Sequence, residues 1–445
     1  LDVLLRGGTL VTCDAEDRVL PADLLVHGKN IEAIGTSGDR RCARTPGLIR
    51  VIDATGCAVI PGFVQAHVHL CQTLLRGMAD DLPLLEWLER RVWPLEAAHD
   101  EASVGASAEL GLTEMLRAGT TTILDMGTVR AHDAVMDACD RSGMRAISGK
   151  AMMDAGDRVP AGLRESTVES LAESERLCGT WNGKGDRRIG YAFAPRFVLS
   201  CTEALVRGVV ERAAEAGVIV HTHAAEHPAE RDAVRAKLGA DDVDILARWG
   251  VAGPRTVLAH GVQLTEPQAR RIAGDGTRVV HCPSANLKLG SGIAPIAEFD
   301  ALGVQLALGA DGAPCNNNLD PWTELRHAAL LAKVRTGVTT LGARRAFRLA
   351  TIDGARALGL DSITGSLEEG KRADLAVVRL DGVHSQPGGD AWSKLVYACG
   401  ARDVVHVMVD GSLLVKDGEL QRFDAGRVAA RAREQAKKLV ARAGL

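Results

Sequence analysis

The residues of this chain that can do chemistry fall in a few short clusters. His67-Val68-His69 sets two imidazoles two positions apart. His221-Thr222-His223-Ala224-Ala225-Glu226 repeats that spacing and adds a glutamate three residues after His223. His260, His281 and Asp311 follow singly. Residues i and i+2 of an extended strand share a face, so His67 and His69 can reach one divalent ion together. Such an ion binds imidazole nitrogen at about 2.0–2.1 Å, and a catalytic site keeps one position open for water. His223 and Asp311 complete a set of four ligands that leaves this position free. The ion would bring the pKa of its water toward neutrality and make a nucleophile. Imidazole and carboxylate suit Fe2+ and Mn2+ as well as Zn2+, and one zinc ion is the default. Glu226, offset from His223, is placed as a general acid or base. His260 is a fifth ligand or a proton shuttle; with four ligands assigned, shuttle is preferred. Asp311 can take a proton from the water as well as touch the metal. His27, His99, His132, His227, His327, His384 and His406 stand away from these clusters and read as ordinary structural histidines.

Residues so distant in sequence can meet only if elements carry them to one place. From about residue 57 to 358, short apolar runs alternate with helical ones. The strands are expected at 57–64, 120–125, 145–150, 189–194, 218–223, 256–260, 277–281 and 304–310. Helices are expected at 101–118, 130–142, 202–216, 265–273 and 293–302, and a loop at 151–166. Each cluster then ends a different strand: His67 and His69 the first, His223 the fifth, His260 the sixth, His281 the seventh and Asp311 the eighth. Eight strands alternating with helices make a (β/α)8 TIM-like barrel, whose strand ends converge on one mouth. A doubly wound sheet is the alternative. It would want a glycine-rich phosphate loop after its first strand, and Pro61-Gly62-Phe63-Val64-Gln65-Ala66-His67 is not one. Some barrel hydrolases hold a second metal through a modified lysine after strand four. Here that strand ends Ala194-Pro195-Arg196, so one metal is expected.

Both ends of the chain read as β. Apolar runs at 3–5, 9–12, 23–26 and 31–34 are broken by Arg6-Gly7-Gly8 and by His27 to Asn30. Runs at 374–379, 404–409 and 413–416 are followed by Asp381-Gly382, Asp410-Gly411 and Asp417-Gly418, which are hairpin signals. A small β-sandwich assembled from both ends is therefore expected. The division is 1–60 for its first part, 61–364 for the barrel, and 365–445 for its second part with a helix at about 425–442.

Composition excludes other classes. Lys plus Arg is 53 against 57 Asp plus Glu, and aromatics are 3%. There is neither basic excess nor stacking surface for a nucleic acid polymer. No apolar run reaches the ~18 residues of a membrane span. The ten cysteines form no CxxC pair and read as buried thiols of a reducing compartment, so cytoplasm is the expected location. Cys71 and Cys315, flanking the metal motifs, are the two whose thiols could touch the pocket.

Three spans resemble the metal-site signatures of the amidohydrolase superfamily: Pro61 to His69, Ala259-His260-Gly261, and Leu308 to Gly312. More narrowly, the chain is similar to cytosolic aminohydrolases that include methylthioadenosine/S-adenosylhomocysteine deaminases, guanine deaminases and s-triazine hydrolases. The carriers are Thr73 to Pro83 (TLLRGMADDLP), Leu85 to Leu88 (LEWL), Trp93 to Glu96 (WPLE), Asn286 to Pro295 (NLKLGSGIAP), Asp311 to Asp320 (DGAPCNNNLD) and Gly370 to Leu375 (GKRADL). The resemblance implies metal ligands His67, His69, His223 and Asp311, with Glu226 and His260 as the proton-transfer pair. It implies that Glu96 holds ribose hydroxyls and that Trp87 packs beside a nucleoside. Two positions depart from the nucleoside deaminases. Arg196 replaces a substrate-contacting His after strand four, and Lys150 replaces an Arg after strand three. Arg196-Phe197 with Gln72 instead resembles the guanine-deaminase pocket, where the matching Gln and Arg hold the purine.

The expected protein is thus a metal-dependent deaminase of a small purine-like substrate, and a homo-oligomer. An adenine nucleoside of the methylthioadenosine, S-adenosylhomocysteine or 5′-deoxyadenosine type is preferred. A guanine, oxo-guanine or s-triazine-type substrate is the alternative, and a non-catalytic barrel the remote one. The sequence assigns no role to Lys150, Arg164 or His281.

Overall fold

The computed structural model describes residues 2–36, 39, 41, 42 and 49–445. The other positions of the expected unit 1–60 lie outside the described residues. The amino-terminal strands are β1 (Asp2–Val11), β2 (Val19–His27), β3 (Asn30–Gly35), β4 (Ile49–Asp53) and β5 (Cys57–Pro61). Arg6-Gly7-Gly8, expected as a turn, lies inside β1. Its register with β2 shifts between Leu5 and Gly8, and Gly7 has φ +73°. One strand with a bulge replaces two strands and a turn.

The apolar run expected as strand 57–64 is two strands in two sheets. β5 belongs to the terminal sheet, and β6 (Phe63–Val68) opens the barrel. The break falls at Gly62, where a Cβ would stand 2.1 Å from the Thr121 side chain. Only glycine lets the chain cross between sheets this closely. The barrel continues through β7 (Thr120–Met126), β8 (Arg145–Gly149), β9 (Ala151–Met152), β10 (Ile189–Pro195), β11 (Ile219–Ala224), β12 (Thr256–His260), β13 (Arg278–His281) and β14 (Gln305–Leu308). The short β9, inside the expected loop 151–166, pairs only with β10; the other eight form one parallel path from β6 to β14. Every residue of β6, β7, β11 and β12 is buried, as parallel strands covered on both faces must be. Alternate residues divide between two cores. Ile123, Phe193, Val220, Leu258, Val279 and Leu306 pack under the helices. Leu124, Ala192, Ile219, Val257, Val280 and Ala307 fill the interior with Val64 and Ala66.

The expected helices are present at Glu101–Arg117, His132–Ser142, Glu203–Ala216, Glu266–Asp275 and Ile296–Ala301. β14 ends two residues before the expected 310. Closure against β6 is made beyond it, by the Asp311 N–H donating to the His67 carbonyl at 3.1 Å. Gly309 permits this approach, because a Cβ there would lie 2.6 Å from the His67 oxygen.

The chain returns to the terminal sheet as β15 (Leu375–Arg379), β16 (Val404–Val409), β17 (Ser412–Lys416) and β18 (Glu419–Leu420). β15 runs antiparallel beside β5, so the two ends of the chain make one sheet. Asp410-Gly411 and Asp417-Gly418 sit in hairpin turns, whereas Asp381-Gly382 opens an excursion holding the helix Ala391–Tyr397. The Arg145 guanidinium ties the sheets together, donating to Asp374 at 2.7 and 3.2 Å and to Asp410 at 2.5 Å. The last helix, Ala425–Ala443, lies against Glu101–Arg117, with Arg431 donating to Glu109 at 2.8 Å.

Candidate functional site

The carboxyl ends of β6, β11 and β12, with the turn after β14, bring the imidazoles of His67, His69, His223 and His260 together with two acids, Glu226 and Asp311. Ligand atoms of His67, His223, His260 and Asp311 lie within 4.8 Å of one another. His69 joins them, its Nε2 standing 3.1 Å from His223 Nε2 and 3.3 Å from Asp311 Oδ1. His67 Nε2 is also 3.3 Å from Asp311 Oδ1.

Hydrogen bonds outside the cluster fix which nitrogens face it. His69 Nδ1 donates to the Met126 carbonyl at 2.7 Å, and His223 Nδ1 donates to the Arg196 carbonyl at 2.7 Å. His260 Nδ1 donates to Asn286 Oδ1 at 2.9 Å. A neutral imidazole carries one N–H, so all three Nε2 atoms are bare acceptors. Burial pulls His69 down to about 3 and His223 well below the ordinary range, which keeps both neutral. Two lone pairs facing each other at 3.1 Å repel unless a cation lies between them. Among the described residues the buried Nε2 atoms of His67 and His260 have no hydrogen-bond partner. This donor set fits a divalent transition metal.

The acids divide by environment. Burial, and then the nearby Asp311 charge, push Glu226 well above the ordinary carboxylate range. Burial alone would raise Asp311 too, but His67, 3.3 Å away, and the other imidazoles around it hold it well below. An acid pushed toward its protonated form and one held toward its ionised form thus both lie beside His260, whose Nε2 is 3.6 Å from Glu226 and 3.8 Å from Asp311. Opposed carboxyl environments of this kind mark acid and base roles.

Three residues here hold left-handed backbone although none is glycine: Ala225 (φ +52°), His260 (φ +77°) and Asp311 (φ +62°). Each such residue costs about 1–3 kcal/mol unless its surroundings enforce it. At Ala225 the enforcement is visible. Its N–H donates to the buried Asp242 carboxylate at 2.5 Å, and the next N–H, of Glu226, to Glu230 at 3.3 Å.

The cavity over the cluster is lined by His69, Gln72, Trp87, Arg196, Glu226 and Asp311, among others. Leu84, Leu88 and Phe197 complete its apolar wall. Glu96 is not among the lining residues. Its carboxylate accepts from Arg196 at 2.5 and 3.2 Å and from Gln72 Nε2 at 2.7 Å. Gln72 Oε1 is left buried without a partner. Cys71 and Cys315 are buried and do not line the cavity. Lys150 is spent on a buried ion pair with Glu165, Arg164 is exposed, and His281 is buried beside the site.

Several contributing residues have no role in the sequence reading. His221 Nε2 shares a proton with His67 Nδ1 at 2.9 Å. The signal was present, since His221 lies two before His223 and so on the same strand face. Asn286 falls within a motif, yet nothing in the sequence pairs it with His260. Asp242 and Glu230 sit on helices, where single acids carry no pattern.

A family model described as the amidohydrolase family matches residues 58–414. A relative from Halobacterium salinarum, named 5-methylthioadenosine/S-adenosylhomocysteine deaminase, is 40% identical over 404 residues, 90% of this chain and 91% of its own. A crystal structure of an adenosine deaminase from Xanthomonas campestris with bound zinc superposes with a TM-score of 0.92 at 34% identity, over 99% of both chains. Escherichia coli guanine deaminase superposes with a TM-score of 0.85 at 27% identity, over 93% of this chain and 99% of its own. Among the described residues no helix is long and apolar enough to cross a membrane.

Proposed function

The chain belongs to the amidohydrolase family, and from that premise we propose that it hydrolytically deaminates an adenine nucleoside of the methylthioadenosine, S-adenosylhomocysteine or 5′-deoxyadenosine type. The supporting observation is the facing pair of Nε2 atoms of His69 and His223, beside Glu226, whose burial favours its protonated form, and Asp311, whose imidazole neighbours favour its ionised form. His67, His69, His223 and Asp311 would hold one divalent ion, with zinc the first candidate. When bound, the ion supplies Lewis acidity that readies water for attack at neutral pH.

The chain's own residues move the protons. Asp311 and His260 take a proton as the water oxygen bonds to the amino-bearing ring carbon. Glu226 gives its proton to the adjacent ring nitrogen, so negative charge does not build on the ring. Asp311 and His260 return the first proton to the exocyclic nitrogen, and the carbon–nitrogen bond breaks to release ammonia. The remaining hydroxyl proton restores Glu226 as the oxo product forms. Trp87, Leu84 and Leu88 exclude water from the ring's edge, and Gln72 Oε1 offers an acceptor to the substrate. Arg196 reaches the cavity with its charge balanced by Glu96 behind it.

The guanine-type reading stays as the second, because Gln72 and Arg196 both reach the cavity. Ammonia release against methylthioadenosine, S-adenosylhomocysteine, 5′-deoxyadenosine, guanine, oxo-guanine and an s-triazine separates them. Turnover of the nucleosides is expected. Turnover of guanine with none on any nucleoside overturns the proposal.

A further inference from the structure

At the opposite end of the barrel, the amino-terminal starts of β8, β10, β11, β12 and β13 enclose a second cavity of about 500 Å3. It shares no lining residue with the cavity over the histidines. Arg145, Arg187, Arg188, Arg255 and Arg278 line it, and no carboxylate does. This is unusual for the molecule. Three other surface cavities carry both signs, as with Glu114 and Arg117, Asp300 and Arg345, or Asp137 and Arg141. The chain as a whole is net −4, so a cavity lined by five arginines and no carboxylate is a local reversal.

Two of the five are neutralised from outside the cavity, Arg145 by Asp374 and Asp410, and Arg188 by Asp140. Arg187, Arg255 and Arg278 have no carboxylate within 4.0 Å among the described residues. Arg187 and Arg255 stand exposed at the rim, whereas Arg278 is half-buried inside. Its hydrogen bond is to the Ala357 carbonyl at 3.0 Å, which uses one of five donors. Burial works against its charge and the Asp361 carboxylate offsets this only in part, without standing within 4.0 Å as an ion-pair partner. Between the arginines the wall is apolar, with Ile147, Val218, Leu358 and Leu360. The size lies within the ~300–1,000 Å3 of small-molecule sites.

We propose that this cavity binds a small phosphate-bearing molecule, its oxyanion held by Arg187, Arg255 and Arg278 and its organic body by the apolar wall. Guanidinium forks match phosphate oxygens two at a time, which lysine cannot do.

Titration calorimetry of the full chain tests this with uridine 5′-monophosphate, pyrophosphate and inorganic phosphate at fixed ionic strength, and uridine as the uncharged control. Saturable binding of the monophosphate is expected, weakened at least tenfold in Arg255→Ala/Arg278→Ala. Deaminase turnover should stay within twofold of the parent. Arg187→Ala, on the exposed rim, and Arg278→Lys, which keeps the charge but loses the fork, should each weaken binding and serve if the double variant does not fold. Pyrophosphate binding as tightly as the monophosphate supports an inorganic ligand of the same site. Absence of saturable binding for all three anions overturns the proposal, as does an affinity unchanged by the arginine variants. Equal binding of uridine overturns it too. A change of oligomeric state in the variants, without anion binding, assigns the arginines to contact between copies instead.

Discussion

Glu226 must carry a proton for its part in the reaction, and His260 must not. Burial raises the first and lowers the second, which spreads their titrations apart. Activity should fall as pH rises through the raised Glu226 value, because the acid is lost. It should fall as pH drops through the lowered His260 value, because the base is lost. A bell-shaped kcat/KM profile with a broad top is expected, and a monotonic rise with pH would count against this pairing. Glu226→Gln should lower kcat by about 10²–10⁴-fold with little change in Tm. The facing Nε2 atoms of His69 and His223, 3.1 Å apart, make a thermodynamic prediction. Chelation should lower Tm and zinc should restore it, stabilising the fold by about 2.7 kcal/mol at a hundredfold excess over Kd. His69→Ala should abolish most of that restoration; an unchanged response would show that the ion sits elsewhere.

Elements, more than single residues, decide where these groups stand. The Ala225–Glu226 turn depends on Asp242, whose carboxylate accepts the Ala225 N–H. Asp242→Ala should cost at least tenfold in kcat while Asp242→Asn, which keeps an acceptor oxygen, recovers most of it. Equal losses in both variants would reduce Asp242 to bulk packing. Gly309→Ala would force a Cβ against the His67 oxygen. It should destabilise by about 1–3 kcal/mol, read from urea unfolding, and should weaken metal binding with it. The barrel was legible because parallel strands are long apolar runs and because each metal-type residue sits at the end of one. Two features were not. The run 57–64 has no polar break, and although its Pro61-Gly62 is a turn signal, nothing local shows that the chain passes there from one sheet to another. Glu96 and Arg196 were each legible as a pocket residue, yet their mutual bond joins positions a hundred residues apart. Tertiary pairing of that kind leaves no local pattern.

On the scale of the whole molecule, one buried cation links barrel and terminal sheet. Arg145 is 2% exposed and its partner Asp374 is fully buried. Arg145→Met would leave the buried Asp374 without its cation and Asp410 with only Arg372 at 3.7 Å, at a cost of about 3–5 kcal/mol. Urea unfolding should show the loss, and an unchanged midpoint would mean that the sheets hold together without it. The pairing of β5 with β15 has a further consequence, for synthesis. Pro61 ends β5 and Leu375 begins β15, so at about 5–20 residues per second a ribosome takes roughly 15–60 s to make the second after the first. For that interval β5 can take β1 on one side while its other edge stays open, and an unpaired strand edge is a template for aggregation. A nascent chain halted within the barrel would therefore be stickier than one allowed to finish, and chaperone demand should peak before the last seventy or so residues emerge.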